Sequence, residues 1–120
     1  MGHSLGGLFV CYAFLHQPKL FNGYLAADPS LFYRDRAMFS MERRFARAHK
    51  ALPVKLYLGI SEPDREHSPS AMVSNLLQFA ARLESRHYKG FTLTKQIHFD
   101  HNHGSVIAAA YQAGLQAVMG

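Results

Sequence analysis

Three runs of large apolar and β-branched residues, each closed by a polar loop, alternate along the chain with stretches of helical periodicity. The clearest is VKLYLGIS, residues 54–61, where Val54, Leu56, Leu58 and Ile60 alternate with Lys55 and Tyr57, the period-two pattern of a strand. FNGYLAA (21–27), closed by Asp28-Pro29-Ser30, reads as a short buried strand, and FTLTKQIHF (91–99) as a third. Helices fill the remainder. Leu5, Leu8, Phe9 and Tyr12 fit the i, i+3, i+4, i+7 template of one buried face, and Pro18 ends that pattern. Residues 35–50 place Met38, Met41, Phe45 and Ala48 inward. Ser68-Pro69 supplies an N-cap and a first-turn proline for a helix that buries Met72, Val73, Leu76, Leu77, Ala80 and Leu83 and ends near Gly90. Residues 106–118 are alanine-rich and helical. Strictly alternating strands and helices imply an α/β fold: about three parallel strands flanked by helices, in three layers.

At 120 residues, 48% apolar and 18% charged, the chain has the composition of a single globular domain, residues 1–120, and not that of a disordered segment. The formal net charge is +5, with the basic residues spread along the sequence. The densest run, Arg43 to Lys50, reads as the solvated face of one helix and gives no strong reason to expect nucleic acid or a membrane as partner. The single cysteine, Cys11, excludes an internal disulfide and suits a small buried position. The apolar stretch from Leu5 to Leu15 is too short to span a bilayer.

In open parallel sheets, chemistry gathers at the carboxyl ends of the strands. Asp28-Pro29-Ser30, Ser61-Glu62-Pro63-Asp64 and the histidine-rich DHNHGS (100–105) fall there. A fourth element joins them: Gly2-His3-Ser4-Leu5-Gly6 fits G-x-S-x-G, a serine on a tight strand-to-helix turn. A serine hydroxyl needs a base, an acid to orient that base, and donors for the developing oxyanion. Gly2 and Gly6 would permit close backbone approach, and the Leu5 amide at the first turn of the helix would face the oxyanion. The loops that follow supply an acid and then a histidine, the chain order of α/β-hydrolase triads. Among the histidines, His98 lies in the strand pattern as a packed or surface residue. His101 and His103 share the loop, and the position beside Gly104, just before the last helix, favours His103. A metal site on His98, His101 and His103 lacks the i, i+4 spacing of a helical zinc pair, so no metal or cofactor is expected.

The segments GHSLGGLFVCYAFLHQPKLFNGYLAADPSLFY and HNHGSVIAAAYQAGLQ resemble the esterase family of α/β-hydrolases, which includes esterase D, feruloyl esterases and siderophore esterases. The resemblance implies a serine hydrolase of carboxylic esters that works through an acyl-enzyme on a small-molecule ester, with Ser4 as nucleophile and His103 as base. It selects Glu62 as the acid, three residues after the glycine near the strand's end, with Asp64 as the alternative. His3, Asp28, Phe32 and Tyr33 would face substrate, although members often carry two tryptophans where Phe32 and Tyr33 stand. Such domains commonly exceed 200 residues, so the chain is expected to be the carboxyl-terminal half, beginning at the nucleophile elbow. The strand before the elbow and the loop bearing a second oxyanion donor would then lie upstream. Self-association through an exposed sheet edge is a further expectation. The alternative reading is a weak or inactive hydrolase fragment acting as an interaction module.

Overall fold

The computed structural model describes residues 1–61 and 72–119. Four parallel strands form one sheet in the order β1-β2-β3-β4: β1 (Gly2–His3), β2 (Gly23–Ala27), β3 (Lys55–Ser61) and β4 (Thr92–His98). Each is followed by a helix: α1 (Leu5–His16), α2 (Tyr33–Ala48), α3 (Met72–Ser85) and α4 (Val106–Met119). The register runs Gly2 against Ala26, Gly23 against Lys55, and Lys55 against Thr92. The alternating α/β arrangement expected from the sequence is present, with the elbow itself contributing the extra, two-residue strand at one edge.

The sheet separates two apolar layers. Tyr24, Ala26, Leu56, Leu58 and Ile60 pack with Val10, Phe14, Met38, Phe45, Leu76 and Phe79 of the first three helices. Leu25, Ala27 and Tyr57 face α4 through Val106 and Ala110. Central β3 is therefore buried on both faces, and Tyr57 is as enclosed as its neighbours although it alternates with them.

The inward face of α1 differs from the sequence expectation. Gly7, Val10, Cys11, Phe14 and Leu15 are buried, whereas Leu5, Phe9 and Tyr12 are exposed and Leu8 lies between. The segment LGGLFVCYAFLH is apolar on every side, so periodicity does not single out the stripe that meets the sheet. Burial pushes the Cys11 thiol up to about 12, which leaves it protonated and unreactive. In α2, Phe39 and Glu42 are buried while Ala48 is exposed, so the face is rotated from the expected one. Its start is also irregular, because Arg34, Asp35 and Arg36 adopt a left-handed turn. α3 ends at Ser85, before Gly90, because the chain must turn to pair Lys89 with Ala51. Leu77 in α3 points outward, and Phe79 takes a core position instead.

Glu42 is fully buried and holds α2 to the turn after α3. Its carboxylate accepts two bonds from Arg86, at 3.1 and 2.9 Å, and one from the Tyr88 hydroxyl at 2.9 Å. The Arg86–Glu42 hydrogen bonds raise the Arg86 guanidinium, and burial first and Glu42 second raise the Tyr88 phenol. Removing one partner of a buried pair leaves an uncompensated charge. Arg86→Ala is therefore expected to destabilise the chain by about 3 kcal/mol, near the lower end for buried pairs because Tyr88 remains and Arg86 is partly exposed. Urea unfolding of the variant beside the parent measures it.

Candidate active site

Ser4 sits where β1 turns into α1, with φ 61° and ψ −117°. A left-handed serine is costly and persists only where its surroundings fix it. They do. Its amide donates to the Ala27 carbonyl at 3.0 Å, and its own carbonyl accepts from Leu8 at 3.0 Å and Ser30 at 3.1 Å. Gly2 allows the tight turn, since a Cβ there would lie 2.2 Å from the Gly6 carbonyl oxygen. Gly7 is similarly confined, its Cβ position lying 3.0 Å from the Ala27 carbonyl oxygen and 3.1 Å from Pro29 Cα. Gly6 was expected to be needed for close approach, yet a Cβ there meets nothing within 4 Å. The crowding at Gly2 comes from the Gly6 backbone, which any residue carries.

Across the carboxyl ends of the strands, the loop after β4 brings His103 to the serine. His103 Nδ1–H donates to Asp28 Oδ2 at 2.7 Å, and the Ser4 hydroxyl lies 3.1 Å from His103 Nε2, oriented to donate to it. Asp28 was expected on the rim facing substrate. It is instead 1% exposed, because β2 ends immediately before it and its amide continues the ladder to the Gly59 carbonyl at 2.8 Å. Its carboxylate accepts from the Ser61 amide at 2.7 Å and the Ser61 hydroxyl at 2.8 Å, as well as from His103. Asp28 has φ 43°, a conformation that a short polar side chain tolerates better than most.

The other expected site residues divide clearly. His101 does not reach Ser4; its Nδ1 lies 3.2 Å from both the carbonyl and the hydroxyl oxygen of Ser105. His3 packs its ring 4.5 Å from that of His103 and donates from Nε2 to the His103 carbonyl at 2.6 Å, which fixes the histidine loop. Leu5 is the first residue of α1, so its amide has no intrahelical acceptor. Tyr33 lines an apolar groove of about 290 Å³ with Leu5, Leu8, Phe9, Tyr12 and Met38, whereas Phe32 is exposed outside that lining. Glu62 and Asp64 lie outside the described residues.

His98, His101 and His103 do not gather as a ligand set. Among the described residues, the trio with metal-ligand atoms close together, within 4.8 Å, is His3, Asp28 and His103. Two of those groups already bond to each other. His98 is buried beneath the site and donates from Nε2 to the Tyr57 hydroxyl oxygen at 2.6 Å, while that hydroxyl donates to Gln96 at 3.0 Å. Burial lowers the His98 imidazole, neighbouring His101 lowers it further, and Asp28 partly opposes them.

No model of a known protein family matches the chain. Over 95% of its length it is 28% identical to the siderophore enterobactin esterase of Emericella nidulans, covering 44% of that protein. Over 68% of its length it is 32% identical to the ferri-bacillibactin esterase BesA of Bacillus subtilis, covering 29% of that protein. The chain is similar in sequence to siderophore esterases. The solved siderophore hydrolase EstA from Aspergillus nidulans shares its fold with a TM-score of 0.83 and 26% identity, over 97% of this chain and 45% of that one. The chain thus spans less than half the length of these relatives.

Two outcomes follow from this geometry. Gly6→Ala, a glycine-to-alanine change in an open helical position, should stabilise the fold by about 0.5–1 kcal/mol, whereas Gly7→Ala, pressed against Pro29, should destabilise it; thermal unfolding separates the two. His98 binds its proton more weakly folded than unfolded, so stability rises with pH through the window up to its ordinary value and is lost on acidification below about 6.5. His98→Gln should lose less stability than the parent between about pH 7.5 and about pH 5, read from urea midpoints.

Proposed function

We propose that the chain carries the catalytic centre of a serine hydrolase of carboxylic esters, with Ser4 as nucleophile, His103 as general base and Asp28 as the acid of the triad. The observation that carries this reading is the unbroken run of hydrogen bonds from the buried Asp28 carboxylate through His103 to a serine with left-handed backbone.

In this scheme Ser4 Oγ attacks the ester carbonyl carbon while His103 Nε2 takes its proton. Asp28 Oδ2, accepting from Nδ1, selects the tautomer whose Nε2 is free to accept and then stabilises the imidazolium. The Leu5 amide, at the positive end of α1, stabilises the oxyanion. His103 returns the proton to the leaving alcohol, and water activated by the same nitrogen releases the acid from Ser4. The apolar groove beside Leu5 suits an apolar or aromatic part of the ester. The names of the relatives suggest an ester-linked siderophore as the substrate class.

Labelling by a fluorophosphonate, together with hydrolysis of a p-nitrophenyl ester, tests the roles. Ser4→Ala should abolish labelling. Asp28→Asn should slow hydrolysis by about 10³- to 10⁴-fold, whereas Glu62→Gln should leave it within a factor of about three of the parent. A large loss confined to Glu62→Gln would move the acid to the loop after β3. A folded parent that takes no label at all would favour a non-catalytic role.

A further inference from the structure

At the other end of the sheet, the amino ends of β3 and β4, lies a cleft of about 930 Å³ lined by Arg43, Arg47, Lys50, Arg82, Arg86 and Lys89. Three separate parts of the chain bring these cations together. Arg43 and Arg47 are successive turns of α2, Arg82 lies in the last turn of α3, and the two lysines are joined by the Lys89 amide bonding to the Lys50 carbonyl at 2.9 Å. The run from Arg43 to Lys50, legible in the sequence only as a solvated helix face, is thus one wall of a concave site.

The charge balance of the molecule is concentrated here. Six of the 13 Lys and Arg line the cleft, and one of the eight Asp and Glu, Glu42, is bonded to it. The rest of the sequence holds seven of each sign, so the formal net charge of +5 belongs to this one cleft. Two of the guanidinium groups are held in place. Arg86 is gripped by Glu42 at two points, and Arg82 lies over the Phe39 ring, 5.1 Å from its centroid. Arg43, Arg47, Lys50 and Lys89 have no carboxylate partner among the described residues. Favourable interaction with helix carboxyl ends accounts for Arg47 and Arg82, in the last turns of their helices. It does not account for Arg43, one turn further back, or for the two lysines on the connecting segments.

Converging, unpaired cations in a low-lying concavity repel one another and favour any anion that enters. Guanidinium forks match phosphate oxygens in pairs, and lysines add point charge. The volume falls in the range of small-molecule sites. We propose that this cleft is a binding site for a small, multiply charged phosphate anion, separate from the Ser4 centre. His49 and Tyr88 in the lining would contact whatever the phosphates are attached to.

Isothermal titration of the full chain with inorganic triphosphate tests this. One saturable site is expected, weakening as sodium chloride is raised. Arg43→Gln/Arg47→Gln should lower the affinity about tenfold or more, as the loss of two charge-assisted contacts requires. Lys50→Gln/Lys89→Gln, from different segments, should repeat the loss. Lys19→Gln/Arg34→Gln removes the same charge outside the cleft and should leave the affinity within about twofold. An equal loss in that control would overturn the proposal in favour of diffuse attraction to the net charge. So would the absence of a saturable site, or a single-stranded oligonucleotide that binds more tightly than triphosphate and gains affinity with length. Ester hydrolysis by both cleft variants should match the parent, so the result stands apart from the fate of the Ser4 assignment.

Discussion

A single buried carboxylate organises one whole end of this molecule. Asp28 lies at the tip of β2, almost without solvent contact, and a charge in that position is tolerable only if it is fully bonded. Ser61 at the tip of β3 supplies an amide and a hydroxyl, and His103 from the loop after β4 supplies an N–H. Three strand ends are thereby tied to one point. Any geometry at Ser4 depends on this, because the histidine that faces the serine is oriented by the carboxylate behind it and by His3 at its side.

Two residues next to one another in space, Ser4 and Asp28, carry left-handed backbone. Each would be unfavourable alone by roughly 1–2 kcal/mol. The cost is met by sharing: the Ser4 amide bonds to the residue before Asp28, and Ser30, two residues after it, bonds back to the Ser4 carbonyl. The elbow and the loop after β2 are one unit. The absence of a side chain at Gly7 lets the two backbones approach closely enough for those bonds to form, and its absence at Gly2 lets the elbow fold onto the first turn of its own helix.

Much of this was legible in the sequence. The alternation in residues 54–61 marked the central strand, and the order of serine, acidic loops and histidine loop placed all of them along one edge. What periodicity could not supply was the choice between equivalent signals. α1 is apolar all round, so Leu5, Phe9 and Tyr12 looked as suited to the core as Val10, Phe14 and Leu15. Acidic residues follow both β2 and β3, and chain order alone fits either. The distinction rests on side-chain reach across the sheet, which depends on register: Ala27 stands beside Gly59, and that brings Asp28 alongside the end of β3. Ser61 carried no signal of its own as a partner for a carboxylate. The basic run on α2 was visible, but its convergence with Arg82, Arg86 and Lys89 required the turn after α3 to fold back beneath Glu42.

The two ends of the sheet are thus chemically opposite. One holds a buried carboxylate behind the Ser4–His103 pair; the other gathers the excess positive charge of the chain. At the first end, the proton that His103 Nδ1 donates to Asp28 is the most direct reporter. Proton NMR of the chain should show a far-downfield imidazole resonance that disappears in His103→Ala and in Asp28→Asn and persists in Glu62→Gln. A resonance that survives in Asp28→Asn and vanishes in Glu62→Gln would contradict the account.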